Sequence, residues 1–208
     1  MAIHRRTRAL FELALTVAVA VGLAFAVQAW AVKPYKIPTS SMVPTLEVGQ
    51  RILANRLINH PSVGDIVVFH PPAGATPPND GSPVCGNPSQ GSNGGPGTEA
   101  CDKPTAKESN QTFIKRVVGL PGDRIQIVNG HVYRNGVREH DPYIDPCAQG
   151  EPTCNFPRTI VIPPDDYFMM GDNRGESDDS RFWGPVPNAW IIGEAFFTYW
   201  PPDRIGSV

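Results

Sequence analysis

Hydrophobic side chains recur along this chain in two rhythms, broken by one stretch without any. From Leu10 to Val32 the only strongly polar side chains are Glu12 and Gln28, and Leu13 to Val27 is interrupted only by Thr16 and Gly22. About 20 apolar residues span a bilayer as a helix, so a transmembrane anchor is expected over 9–32. Beyond it the apolar residues form short runs bounded by turn residues, the pattern of strands. These runs are Ile66 to Phe69, Thr112 to Val118, Ile125 to Val128, His131 to Tyr133, Tyr167 to Met170 and the aromatic stretch Trp190 to Trp200. Pro121-Gly122 suits the centre of a type II turn, where proline presets φ and glycine accepts a positive value. Asn129-Gly130 and Asn135-Gly136 are hairpin signals between alternating runs, and Gly193 marks a bulge or a close approach. Residues 73–111 carry no period and are rich in Gly, Pro, Ser and Asn, which predicts a long surface insertion.

The expectation is a mainly β fold with an N-terminal membrane anchor, a main β core and a smaller inserted β domain. Its divisions are 1–8 before the membrane, 9–32 within it, 33–123 plus 164–208 as the core, and 124–163 as the inserted domain. Trp183, Trp190 and Trp200 are core or interface residues, or touch lipid headgroups, where tryptophan is enriched.

Composition narrows the class. Twenty Gly and 23 Pro against 18% charged residues suit a turn-rich β chain. A net charge of −2 argues against a nucleic-acid partner. Arg5, Arg6 and Arg8 precede the apolar stretch and Lys33 and Lys36 follow it, so the positive-inside rule puts the N-terminus in the cytoplasm and the bulk of the chain outside. The alternative is a cleavable secretory signal, with Ala29-Trp30-Ala31 as the processing site; both readings export residues 33–208. Four cysteines fit an oxidising compartment. They allow three connectivities, of which the two local pairs, Cys85 with Cys101 and Cys147 with Cys154, are favoured over free thiols. No C-x-x-C spacing suggests zinc, and no metal or cofactor is expected.

Candidate chemistry sits just beyond the anchor. Pro38 and Pro44 bracket Ser40-Ser41-Met42 on a stiff, non-helical segment, and a hydroxyl there needs a base. The five histidines, His4, His60, His70, His131 and His140, lie outside the segments built like a site, although a Ser-His-Asp triad is recognised by geometry rather than sequence. Lys115 is the alternative. Strand alternation puts Phe113, Lys115 and Val117 on one face and Ile114, Arg116 and Val118 on the other, so each face sets one basic residue among apolar ones. Burial strips a proton from lysine, whereas arginine stays charged. Taken alone, Lys115 would reach solvent from a strand rim, and the serines would belong to a solvated turn.

Taken together, four ordered segments resemble the type I signal peptidases, in their prokaryotic, membrane-bound branch with a Ser-Lys dyad. These are Ile37 to Leu46, Gly64 to Phe69, Lys115 to Asp123, and Gly171-Asp172-Asn173-Arg174 continuing through Ser177 to Gly184. The resemblance implies a signal peptidase-like fold with Ser41 as nucleophile and Lys115 as general base. It implies that the Ser41 N–H and the Thr39 hydroxyl stabilise the oxyanion, that Ser177 orients the lysine, and that Asp179 and Arg181 support the site. It also implies a serine endopeptidase that removes signal peptides from secreted preproteins, with the preproteins and the lipid bilayer as its partners. Ile37, Pro38, Met42, Leu46, Phe113 and Ile114 flank the dyad in sequence and are the expected substrate pockets. A monomer in the plasma membrane is expected. Two other classes remain open at this level: a non-catalytic, membrane-anchored β module and a self-cleaving Ser-Lys regulator.

Overall fold

The computed structural model describes residues 2–58, 60–75, 85–87 and 99–208, without the side chains of 2–9 and 27–29. Helix α1 runs from Ala2–Ala31; its side chains at 10–26, including Leu10, Phe11, Leu13, Leu23 and Phe25, are exposed, and Ala31 at its end is buried. Among the described residues no helix is long and apolar enough to cross a membrane. The helix covers 9–31 of the 9–32 expected as a span, with side chains described at 10–26 and 30–31.

The strands in chain order are β1 (Val32–Lys36), β2 (Arg51–Asn55), β3 (Ile66–Phe69), β4 (Phe113–Gly119), β5 (Arg124–Val128), β6 (His131–Arg134), β7 (Val137–Arg138), β8 (Phe156–Val161), β9 (Asp166–Met170), β10 (Val186–Pro187), β11 (Ile191–Trp200) and β12 (Gly206–Ser207). A single turn of helix, α2 (Ser180–Trp183), precedes β10. Among the described residues they build an eight-stranded sheet, ordered β1-β2-β11-β3-β4-β9-β10 with β12 beside β11, and a four-stranded sheet, ordered β7-β6-β5-β8. The fold is mainly β, as the short apolar runs predict.

Local chemistry explains the turns. Gly122 takes φ 84° and Asp123 N–H donates to the Leu120 carbonyl at 3.0 Å, closing the expected turn after β4. Asn129-Gly130 and Asn135-Gly136 adopt the paired positive φ values of tight hairpin turns. At Gly193 the β11–β3 register slips, and a Cβ there would run into the Asn55 carbonyl of β2.

Three apolar clusters hold the sheets. Val118, Phe168 and Met170 of the larger sheet pack with Ile125, Ile127, Val132, Phe156 and Ile160 of the smaller one, forming the seam between them. A second cluster gathers Ile37, Met42, Leu46, Ile52, Ala54, Ile66, Val68 and Ile114 under the nucleophile segment. The third surrounds Trp183 with Val67, Phe69, Val117 and Met169. Far along the chain, the Arg204 guanidinium donates to the Pro44 and Thr45 carbonyls at 3.0 and 3.1 Å, clamping the turn that follows Ser41 from outside.

The cysteines form the two local pairs, Cys85–Cys101 and Cys147–Cys154, with Sγ–Sγ distances of 1.98 and 1.99 Å. The described ends of the 73–111 insertion are not loose surface. Ala75, Cys85, Ala100 and Cys101 are buried, and Cys101 N–H donates to the Arg181 carbonyl at 3.0 Å. Residues 76–84 and 88–98 of that insertion lie outside the described residues.

Candidate active site

The nucleophile segment is shaped by its own backbone bonds. Val43 N–H closes on the Ser40 carbonyl at 3.0 Å and Leu46 N–H on the Met42 carbonyl at 2.8 Å. Met42 and Leu46 plug this turn into the core, fully buried. Neither is on the cleft lining among the described residues. Asn173 completes the fixation, donating its N–H to the Ser41 carbonyl at 3.2 Å and its Nδ2 to the Ser40 carbonyl at 3.4 Å.

Strand β4 delivers the partner. It lies between β3 and β9, with Lys115 opposite Val67, so the lysine stem is enclosed on both sides. Lys115 Nζ lies 2.7 Å from Ser41 Oγ, and both residues are buried, at 4% and 7% exposure. The rim position that suits an isolated lysine is excluded. Burial lowers the ammonium pKa from its ordinary 10.5 to about 8; the charges of Asp179, Asp178 and Asp172 pull it back up, and Arg181 opposes them. The Nζ also lies 5.5 Å from the Phe113 ring centroid.

Behind the pair stands a buried carboxylate–guanidinium unit. Arg181 donates Nε to Asp179 Oδ1 at 2.8 Å and Nη2 to Oδ2 at 2.9 Å, and Gly171 N–H adds a third donor at 3.1 Å. Burial alone would raise the Asp179 pKa; the Arg181 charge and these hydrogen bonds outweigh it and hold the carboxyl below its usual range. Arg181 reaches the Ser177 carbonyl at 3.0 Å as well, so the pair ties the segment carrying Ser177 into place. The Ser177 hydroxyl is buried with no hydrogen-bond partner among the described residues, and packs against Gly171, where a Cβ would overlap both it and the Ser41 carbonyl. The structure gives it no bond to the Lys115 amine. Thr39 Oγ1 lies 3.4 Å from Ser41 Oγ.

A cleft of about 540 Å³ opens over the dyad, walled by Tyr35 to Thr39 on one side and Gln111 to Lys115 on the other, with Ser41, Val68, Glu176 and Asp178 completing it. Of the six expected pocket residues, Ile37, Pro38, Phe113 and Ile114 line it. Sequence reasoning missed Glu176 and Asp178, whose signal was two carboxylates flanking Ser177. It also missed the role of Arg116, which grips both Asp172 oxygens at 2.9 and 2.7 Å and stacks 4.1 Å from the Tyr143 ring centroid. Thr45 donates to the same Asp172, joining this clasp to the nucleophile segment. No histidine lines the cleft among the described residues; His131 pairs instead with Asp141 at 2.8 Å in the smaller sheet.

A buried hydroxyl 2.7 Å from an amine whose pKa burial lowers to about 8 is an arrangement that can support nucleophilic attack by the hydroxyl with the amine as base. Residues 10–200 match the family model described as signal peptidase, peptidase S26. The chain is 37% identical over 194 residues to a probable signal peptidase I-1 of Synechocystis, covering 91% of this chain and 82% of that one. It is 35% identical over 198 residues to a signal peptidase I of Leptolyngbya laminosa, covering 93% and 81%. A crystal structure of a signal peptidase I from Enterococcus faecalis is similar to 64% of this chain and 95% of that one, with 24% identity and a TM-score of 0.42. The chain belongs to the signal peptidase family, peptidase S26.

Proposed function

We propose that this chain is a membrane-bound serine endopeptidase that removes N-terminal signal peptides from secreted preproteins by a Ser-Lys dyad. The observation that carries the mechanism is the 2.7 Å approach of a buried lysine amine to the Ser41 hydroxyl. In its neutral form Lys115 takes the Ser41 proton as Oγ attacks the scissile carbonyl carbon. The tetrahedral oxyanion is met by the Ser41 N–H and the Thr39 hydroxyl, and the amine then protonates the leaving nitrogen as the C–N bond breaks. Water, activated by the same amine, hydrolyses the acyl ester and frees Ser41. Asp179, Arg181 and Ser177 hold this geometry, with Ser177 moving onto the amine when substrate displaces water.

In this reading 9–32 anchors the chain in the plasma membrane with its N-terminus in the cytoplasm. The core, 33–123 plus 164–208, works outside as a monomer beside the inserted 124–163 domain. Substrate lies extended in the cleft, its small side chains against Ile37, Pro38, Phe113 and Ile114. A shared bilayer raises its effective concentration.

The test is cleavage of a synthetic preprotein in detergent as a function of pH. The kcat/KM of the wild type is expected to rise through an apparent pKa near the Lys115 value of about 8, and Lys115→Ala to lose on the order of a thousandfold. Turnover by Lys115→Ala close to wild type sinks the mechanism.

A further inference from the structure

The cleft carries charge that the mechanism does not use. Its two long walls, 35–39 and 111–114, both run in sequence toward the dyad, and the lining at the reactive end includes Glu176 and Asp178. Ser40, next to Ser41, donates its hydroxyl to Glu176 Oε2 in a long, exposed contact of 3.4 Å, which puts one carboxylate near the Ser41 turn. Asp178 is exposed, yet close enough to Lys115 to raise that amine's pKa. The remaining charge on the lining is Lys36, at the end of β1. Once Lys115 is neutral, as attack requires, the end of the cleft holding the dyad is acidic.

A substrate lying along the two walls puts its scissile carbonyl at Ser41 and sends the residues after the cut past Glu176 and Asp178. We infer that Glu176 and Asp178 form an acidic subsite selecting preproteins with a cationic side chain at the first or second position after the scissile bond. They are specificity-determining residues of the same cleft, and the inference rests on the endopeptidase reading above. The recognition is electrostatic, between partly solvated groups. An exposed pair is worth little alone, but exchanging a cation for an anion converts attraction to repulsion at both carboxylates.

The experiment compares three synthetic preprotein peptides in detergent, identical except for Lys, Gln or Glu at the first position after the cut, with a second set varied at the next position. At about 0.02 M salt, kcat/KM is expected to favour Lys over Glu by on the order of tenfold in at least one set. That ratio should fall to about twofold or less at 0.5 M salt, where screening acts within a few ångströms. Glu176→Gln should reduce the low-salt ratio several-fold, and Glu176→Lys should invert the order. Cleavage of the Gln peptide with a Lys-to-Glu ratio near one in both sets, or a ratio that Glu176→Lys leaves intact, overturns the subsite while the endopeptidase reading stands. Failure to cleave any of the peptides removes both.

Discussion

Lys115, the base of the proposed mechanism, holds a position that is costly to the fold. Its folded pKa of about 8 lies below the ordinary 10.5, so between those values the unfolded chain binds more protons than the native one. Native stability therefore rises with pH across that window, and below pH 8 the full penalty applies, about 3 kcal/mol by linkage. Replacing the amine by an apolar side chain of similar length should abolish activity and stabilise the protein. Lys115→Met is expected to gain about 1–3 kcal/mol at pH 7 in urea denaturation, and the gain should vanish by pH 10.5. A variant less stable than wild type at both pH values contradicts a desolvated amine. At this scale the sequence was readable where chemistry restricts the choice of residue. Ser41 between two prolines and a lone lysine on an apolar strand face stand out; Asp178 and Glu176 do not, because two acids in a polar loop look like any solvated turn. The burial of Met42 and Leu46 was not legible, because closeness in sequence to Ser41 says nothing about which way a side chain points.

Among the elements, β4 and the segment after β9 do the positioning, and Gly171 is where they meet the nucleophile. Its demand is for space rather than for a special φ. A methyl group there would strike the Ser41 main chain and the Ser177 hydroxyl together, and the first of these cannot swing aside. Gly171→Ala is expected to cost about 1–3 kcal/mol of stability and to cut kcat on the order of a hundredfold, because small displacements of a reacting group are expensive. Steady-state kinetics on the folded variant checks this, and a wild-type kcat would mean that the overlap is relieved elsewhere. The strands with clear alternation or continuous apolar runs were legible: β3, β4, β5, β6, β9 and β11. Missed were β8, the short β7, β10 and β12, and two strands at one end of the larger sheet: β1, whose Val-Lys-Pro-Tyr-Lys reads as a loop, and β2, with too few apolar positions to show a period. Both depend on tertiary pairing. Strand β1 tolerates Pro34 because it lies at the sheet edge, with β2 as its one neighbour.

Across the whole molecule, the two disulfides act on different parts of one scaffold. Cys85–Cys101 closes a loop with a sequence separation of 16 and Cys147–Cys154 one of 7. Chain-entropy reasoning assigns them about 3 and about 2 kcal/mol respectively. Cys85→Ser with Cys101→Ser should thus lower the urea midpoint more than the Cys147→Ser, Cys154→Ser pair; the reverse order would show that the shorter bridge acts through the native packing around Arg181. The pairing itself was readable from loop lengths and compartment. The burial of the insertion's ends against Arg181 was not, since it depends on which segments the sheet brings together.

The clamp of Arg204 on Pro44 and Thr45 ties the nucleophile turn to a side chain 160 residues away. A polypeptide is made from its N-terminus onward, so the reactive hydroxyl leaves the ribosome long before β11 and Arg204 exist to fix it. On the mechanism proposed above, the nascent chain is therefore expected to stay inactive until that end of the chain has been made and folded. Nascent chains stalled at residue 190 and exposed to a preprotein should leave it uncut; cutting by such chains would show that the turn sets itself.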